Sequence, residues 1–98
     1  RFHYIVTRDM QTSYQTSLCG AVRAGRAFLG WSQSDLARQA GLSLPTITRM
    51  EGASVDPRHE TVHKIFSVFR LAGLSVSVLD DGSVQMMFSP PTLVRVPL

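Results

Sequence analysis

Four glycines, Gly30, Gly41, Gly52 and Gly73, each close a run of residues whose apolar positions recur at helical spacing. This punctuation confines most of the chain to short helices joined by tight turns. In the first run, from Ser17, the residues Leu18, Val22, Gly25 and Leu29 share one face. The second opens on Ser32-Gln33-Ser34-Asp35, which has the form of a capping box: the serine hydroxyl satisfies a free amide of the first turn and the acidic side chain three residues on returns the bond. Leu36, Ala37 and Ala40 give that helix its inward side. Ser43 is a good N-cap for the third, where Pro45 is tolerated because a first turn has no intrahelical amide bonds to lose, and Ile47 and Met50 point inward. After a turn at residues 53–57, a fourth helix carries Val62, Ile65, Phe66, Phe69 and Ala72 on one face.

The period changes after Gly73. Leu74, Val76 and Val78 alternate with serines, Asp80-Asp81-Gly82 interrupts, and Val84, Met86 and Phe88 alternate again, which is the pattern of a β-hairpin. A three-residue loop with Gly82 left-handed pairs Val78 with Val84, Val76 with Met86 and Leu74 with Phe88, keeping the large apolar residues on one face. The expected organisation is an N-terminal arm at 1–16, with an edge strand at 2–6, a helical domain at 17–73, the hairpin at 74–88 and an extended tail at 89–98. The fold class is mainly α: a bundle of four or five helices followed by a β-hairpin.

Ninety-eight residues with 44% hydrophobic content suit one domain with a single core, too small to add a deep walled cleft. Net charge is +3, and nine of the ten basic residues are arginine, a weak lean towards an anionic partner. The single cysteine, Cys19, excludes an internal disulfide framework, suits a reducing cytosol and reads as a small buried filler. No apolar run approaches the ~20 residues of a membrane span and no signal-peptide layout is present, so the expectation is a soluble cytoplasmic chain without a membrane partner. The chain begins at Arg1 rather than Met, which leaves residues upstream open.

Two short helices joined by Gly41-Leu42-Ser43 within SQSDLARQAGLSLPTITRMEG form a helix-turn-helix pattern, with small Ala37 where the helices touch and Ile47 as the apolar pin of the second. The Ser-Gln opening, Leu36-Ala37, Ala40-Gly41-Leu42-Ser43, Thr46-Ile47, Arg49 and Glu51-Gly52 together resemble the Cro and phage-repressor type of helix-turn-helix protein, often called Xre-like, over residues 22–73. The resemblance implies a repressor-like bundle, sequence-specific binding of double-stranded DNA as a homodimer, and repression. With Ile47 and Met50 inward, Pro45 and Arg49 face the opposite way beside Thr48. Arg49 is the best base reader, because an arginine can pair with guanine O6 and N7. Leu44 and Pro45 match family positions that approach bases, and here suit thymine methyls. Gln33 and Ser43 match positions that hold phosphates, helped by the amides at the start of the second helix. Thr46 belongs to the set more by packing than by base contact, and Arg58 resembles a basic residue that some relatives place near the minor groove. Glu51 and Arg26 flank the inward faces of their helices, where a charge needs a partner. The family commonly pairs these positions, which assigns the two residues to structure.

Residues 59–63, HETVH, match the pattern by which a helix presents two zinc ligands and a general-base glutamate. A third protein ligand is needed, and after His63 the chain offers no histidine, cysteine or glutamate, only Asp80 and Asp81 of the hairpin turn. The expectation is therefore no catalysis, no metal and no cofactor, with Glu60 suiting the positive end of a helix dipole. Two further partners are implied. One is a second copy, because the hairpin's apolar face is more than one small bundle is expected to cover. The other, as an alternative function, is a cognate toxin, since antitoxins that repress their own operon often share this helix-turn-helix and resemble the chain as far as the strand beginning at Leu74.

Overall fold

The computed structural model describes residues 10–52 and 58–90. Four helices, α1 (Met10–Leu29), α2 (Gln33–Ala40), α3 (Leu44–Glu51) and α4 (His59–Leu71), precede two strands, β1 (Leu74–Val78) and β2 (Val84–Phe88), among the described residues. The local signals act where the sequence places them. Ser32 and Asp35 form the capping box with bonds of 3.0 and 2.9 Å, and Gly41, at φ 67°, ends α2 in the left-handed conformation that a side chain would resist. Ser43 caps α3 by accepting from the Thr46 amide, with Pro45 in the first turn.

One boundary differs. The first helix starts at Met10, so residues 10–16, expected as part of an arm, are helical. That segment is polar and lacks a sustained apolar period, but a turn of helix that continues from an existing one needs no nucleation of its own. Tyr14 also packs against the core. The strand expected at 2–6, the turn at 53–57 and the tail beyond Pro90 lie outside the described residues.

All four helices and β1 contribute to one core: Leu18 and Val22 of α1, Leu36 and Ala37 of α2, Ile47 and Met50 of α3, Ile65 and Phe69 of α4, and Leu74 of β1 are buried together. Phe69 is the largest fully buried side chain, its ring centroid 6.1 Å from that of Trp31 and 6.2 Å from that of Phe66. The ring lies against the backbone of Gly25, where an added Cβ would sit 2.6 Å from it. Gly25 is thus a packing glycine, and it lets α1 approach α4 closely.

The hairpin has the expected register, Leu74 opposite Phe88, Val76 opposite Met86 and Val78 opposite Val84. Its loop is closed by the Leu79 amide donating to the Ser83 carbonyl and the Gly82 amide donating to the Leu79 carbonyl, with Gly82 at φ 89°. The Asp81 carboxylate accepts from the Ser83 amide, and bonding to Ser83 holds its pKa below the usual value. The hairpin folds back on its own chain: β1 packs on α4 and α1, burying Leu74 and half-burying Val76 and Val78. The apolar face is therefore partly covered without a second subunit. Across the hairpin, β2 is exposed along its whole length, with the Phe88 ring 4.9 Å from the Phe28 ring.

Candidate nucleic-acid interface

The α2–α3 corner is set by what it buries. Ile47, Met50 and Glu51 of α3 are buried, whereas Leu44, Pro45, Thr48 and Arg49 are exposed on the other side of the same two turns. Periodicity accounts for most of this division: with Ile47 and Met50 inward, Pro45 and Arg49 face the opposite way with Thr48 beside them, and Leu44, near the inward side in angle, is exposed because it begins the first turn.

Glu51 is the buried charge of the corner, 4% exposed. Its carboxylate accepts from Arg26 in a two-pronged bond, Nε to Oε2 at 2.8 Å and Nη2 to Oε1 at 3.0 Å. A third guanidinium donor, Nη1, reaches the Trp31 carbonyl at 3.0 Å. The fork geometry of arginine matches a carboxylate, which is why the pair survives burial. The hydrogen bond to Glu51 raises the Arg26 pKa, burial working against it by a smaller amount. The structure thus makes the Arg26–Glu51 pair that the sequence assigns to folding, joining α1 to the end of α3.

Gln33 is where the structure adds most. Its Nε2 donates to Glu51 Oε1 at 3.1 Å and its Oε1 accepts from the Thr48 hydroxyl at 3.3 Å. The same hydroxyl lies 3.1 Å from the Leu44 carbonyl, so its one proton is shared between the two acceptors. A residue expected to hold phosphate is therefore also the link between the buried ion pair and the exposed face of α3. No sequence signal marks that link, because it depends on how α2 lies across α3. Nε2 carries two protons, so one remains for a ligand beyond Glu51.

Ser43 and Thr46 engage each other, with their hydroxyl oxygens 2.8 Å apart and the Thr46 amide donating to Ser43 Oγ at 3.3 Å. The side chains of Arg49 and Arg58 are exposed and make no ion pair or hydrogen bond with a described residue, Arg58 standing just before α4 as an N-cap without a side-chain bond. Arg38, by contrast, is tied to Asp35 at 2.8 Å. Bonds from Ser32, above all its backbone amide, and from Arg38 hold the Asp35 pKa below the usual carboxylate value.

The HETVH stretch forms the first turns of α4, with both histidines and Glu60 exposed and Glu60 3.7 Å from Lys64. Among the described residues, no three His, Cys, Asp or Glu side chains are grouped to hold a metal ion. Nor is any described helix long and apolar enough to cross a membrane.

Two helices crossing at a glycine turn, the second with a buried seam and an exposed polar and basic side, are the geometry of a helix-turn-helix DNA-binding domain. A family model described as "Helix-turn-helix" matches residues 22–78, more than half of the chain. The chain belongs to this Xre-like helix-turn-helix family and is a DNA-binding regulator of that type. Neither a curated protein nor a solved structure matches it. The matched span runs through β1, the strand whose Leu74 completes the core.

Proposed function

We propose that the chain is a cytoplasmic repressor that binds a palindromic operator in double-stranded DNA as a homodimer, with α3 in the major groove. The observation that carries this is the exposed side of α3: Leu44, Pro45, Thr48 and Arg49 stand together on a helix whose opposite side is locked into the core. Arg49 reads a guanine, and Leu44 and Pro45 lie against thymine methyls. Thr48, its hydroxyl already engaged, offers a methyl group to the groove. Ser43, Gln33 and the amides at the start of α3 hold phosphates, and Arg58 adds a contact at the neighbouring backbone or minor groove. Thr46 supports Ser43.

Selection of bound duplexes from a random pool tests this directly. A palindrome with half-site centres about one helical turn, ~34 Å, apart is expected. Arg49→Ala should relax preference at one position in each half-site by about 1 to 3 kcal/mol. Equal loss on every sequence would remove Arg49 as a base reader.

For the dimer, the exposed β2 residues Val84, Met86 and Phe88 with Phe28 form the apolar surface available to a second copy. An exposed edge of this kind is a pairing surface. A chain cut at Gly73 is not a clean test, since it removes Leu74 from the core; Met86→Lys is, because that side chain is 39% exposed. The variant should sediment as a monomer and bind a full operator far more weakly than the parent, while half-site binding is kept.

The alternative is an antitoxin that holds a toxin and represses its own operon, since such proteins often share this helix-turn-helix and the strand that follows it. A toxin reading frame beside the gene, and a complex of the two products, would decide for it.

A further inference from the structure

A groove of about 430 Å³ lies between α4, β1 and the first half of the described part of α1, and no residue of α2 or α3 lines it. Its floor is apolar, with Leu18, Val62, Phe66 and Val76. One wall is a stripe of α4, His59, His63, Phe66 and Arg70, in steps of three and four that keep one face. The Arg70 guanidinium is exposed and makes no ion pair or hydrogen bond with a described residue, and none of the described lining residues is acidic.

The opposite wall is a strand edge. The Leu79 amide donates to the Ser83 carbonyl and the Ser89 amide to the Gly73 carbonyl, both at 2.8 Å. Ladder bonds therefore fall on the odd-numbered residues of β1, and the amides and carbonyls of Leu74, Val76 and Val78 point to the other side. On that side no strand pairs with β1 among the described residues, the sheet being two-stranded. Ser77, whose side chain stands on the face opposite Val76, also lines the groove, which identifies the backbone edge as part of the wall.

A helix facing an open strand edge across an apolar floor is the arrangement that binds extended peptides by adding a strand. We propose that the groove binds an extended segment of a partner protein as a third strand beside β1, with alternate apolar side chains over Leu18 and Phe66 and a carboxylate at Arg70. The wall from His59 to Arg70 rises about 16 Å, the length of about five extended residues. Charge complementarity selects an acidic occupant. This chain's other apolar stretches, residues 2–6 and 93–96, carry His3 and Arg95 and no carboxylate within them, Asp9 lying three residues beyond the first.

The test is selection of displayed random octapeptides on the full chain, followed by anisotropy titration of a labelled, selected peptide and amide shift mapping. The expected peptides alternate apolar residues with at least one Asp or Glu, and their shifts centre on Val76 and Val78. Methylating one alternate set of peptide amides should weaken binding tenfold or more, and methylating the other set should not. Arg70→Glu should weaken it at least tenfold with an unchanged melting temperature and unchanged operator preference. Failure to select any peptide, binders without an acidic residue, shifts centred on α3, or affinity indifferent to both Arg70→Glu and amide methylation would overturn the proposal. So would a concentration-dependent dimer of the chain that Arg70→Glu abolishes, which would give the groove to a second copy.

Discussion

Around the α2–α3 corner the polar side chains Ser32, Gln33, Asp35, Ser43, Thr46, Thr48 and Glu51 all have partners. Along the groove between α4 and β1, Tyr14, His59, His63 and Arg70 have none with a described residue. The two regions share the same core but use their polar groups differently. At the corner, hydrogen bonds between side chains fix the orientation of α3 before any DNA arrives, so less ordering is needed on binding. At the groove, donors and a strand edge have no partner among the described residues. Arg49 projects from the fixed network without joining it.

The comparison can be broken at its common support first. Phe69→Ala should destabilise both regions together, by about 4 kcal/mol, because the ring is fully buried and the space it leaves against Gly25, Trp31 and Phe66 cannot close completely. Chemical denaturation checks this; separate transitions for α3 and for the hairpin would show that they do not share a core.

Next in size is the corner alone. Glu51→Ala strands the Arg26 guanidinium and releases Gln33, with an expected loss of about 3 kcal/mol in thermal or denaturant unfolding. An unchanged melting temperature would mean that the pair contributes nothing. Gln33→Ala should be milder, about 1 kcal/mol, and should weaken binding to specific and nonspecific duplexes alike. Because Gln33 holds both Glu51 and Thr48, a change in base preference with this variant would show that its support of α3 outweighs the proposed phosphate contact.

Gly25→Ala sets two effects against each other. Alanine favours the helix by about 1 kcal/mol, but its Cβ would press on a buried ring that has nowhere to go, an overpacking of about 1 to 3 kcal/mol. Net destabilisation of about 1 kcal/mol is expected, and a more stable variant would mean that α1 and α4 separate easily.

The smallest effect is a pH dependence at the corner's edge. The folded Asp35 pKa is depressed, so this side chain contributes stability above its unfolded value of about 4 and loses it as pH falls through the lower folded value. Melting temperatures of the parent and Asp35→Asn should therefore differ near neutral pH and converge under acid. A gap that persists at pH 2 would assign the effect to shape rather than charge.

Helix stops, both N-caps, the hairpin register and the inward residues of α3 were all legible along the chain. Each depends on neighbours within a few positions: a serine and the amide three residues on, a glycine at positive φ, or alternation across a tight loop. The start of α1 was not legible, because residues 10–16 extend a helix already formed and carry no apolar period to announce it. The fate of the hairpin face was only half legible. Its pattern said that it must be covered, and could not say that α4 and α1 of the same chain would take β1 and leave β2 largely exposed.

The sequence by itself determined the elements, the turn chemistry and which side of α3 faces outward, since those follow from local backbone sterics and from the 3.6 and 2.0 residue periods. Only the tertiary structure decided that Gln33 joins the Arg26–Glu51 pair to Thr48, that Gly25 admits Phe69, and that α4 faces an open edge of β1 across a groove. Those contacts join residues from separate elements, and their distances depend on how whole helices and the hairpin settle against one core, which no local period encodes.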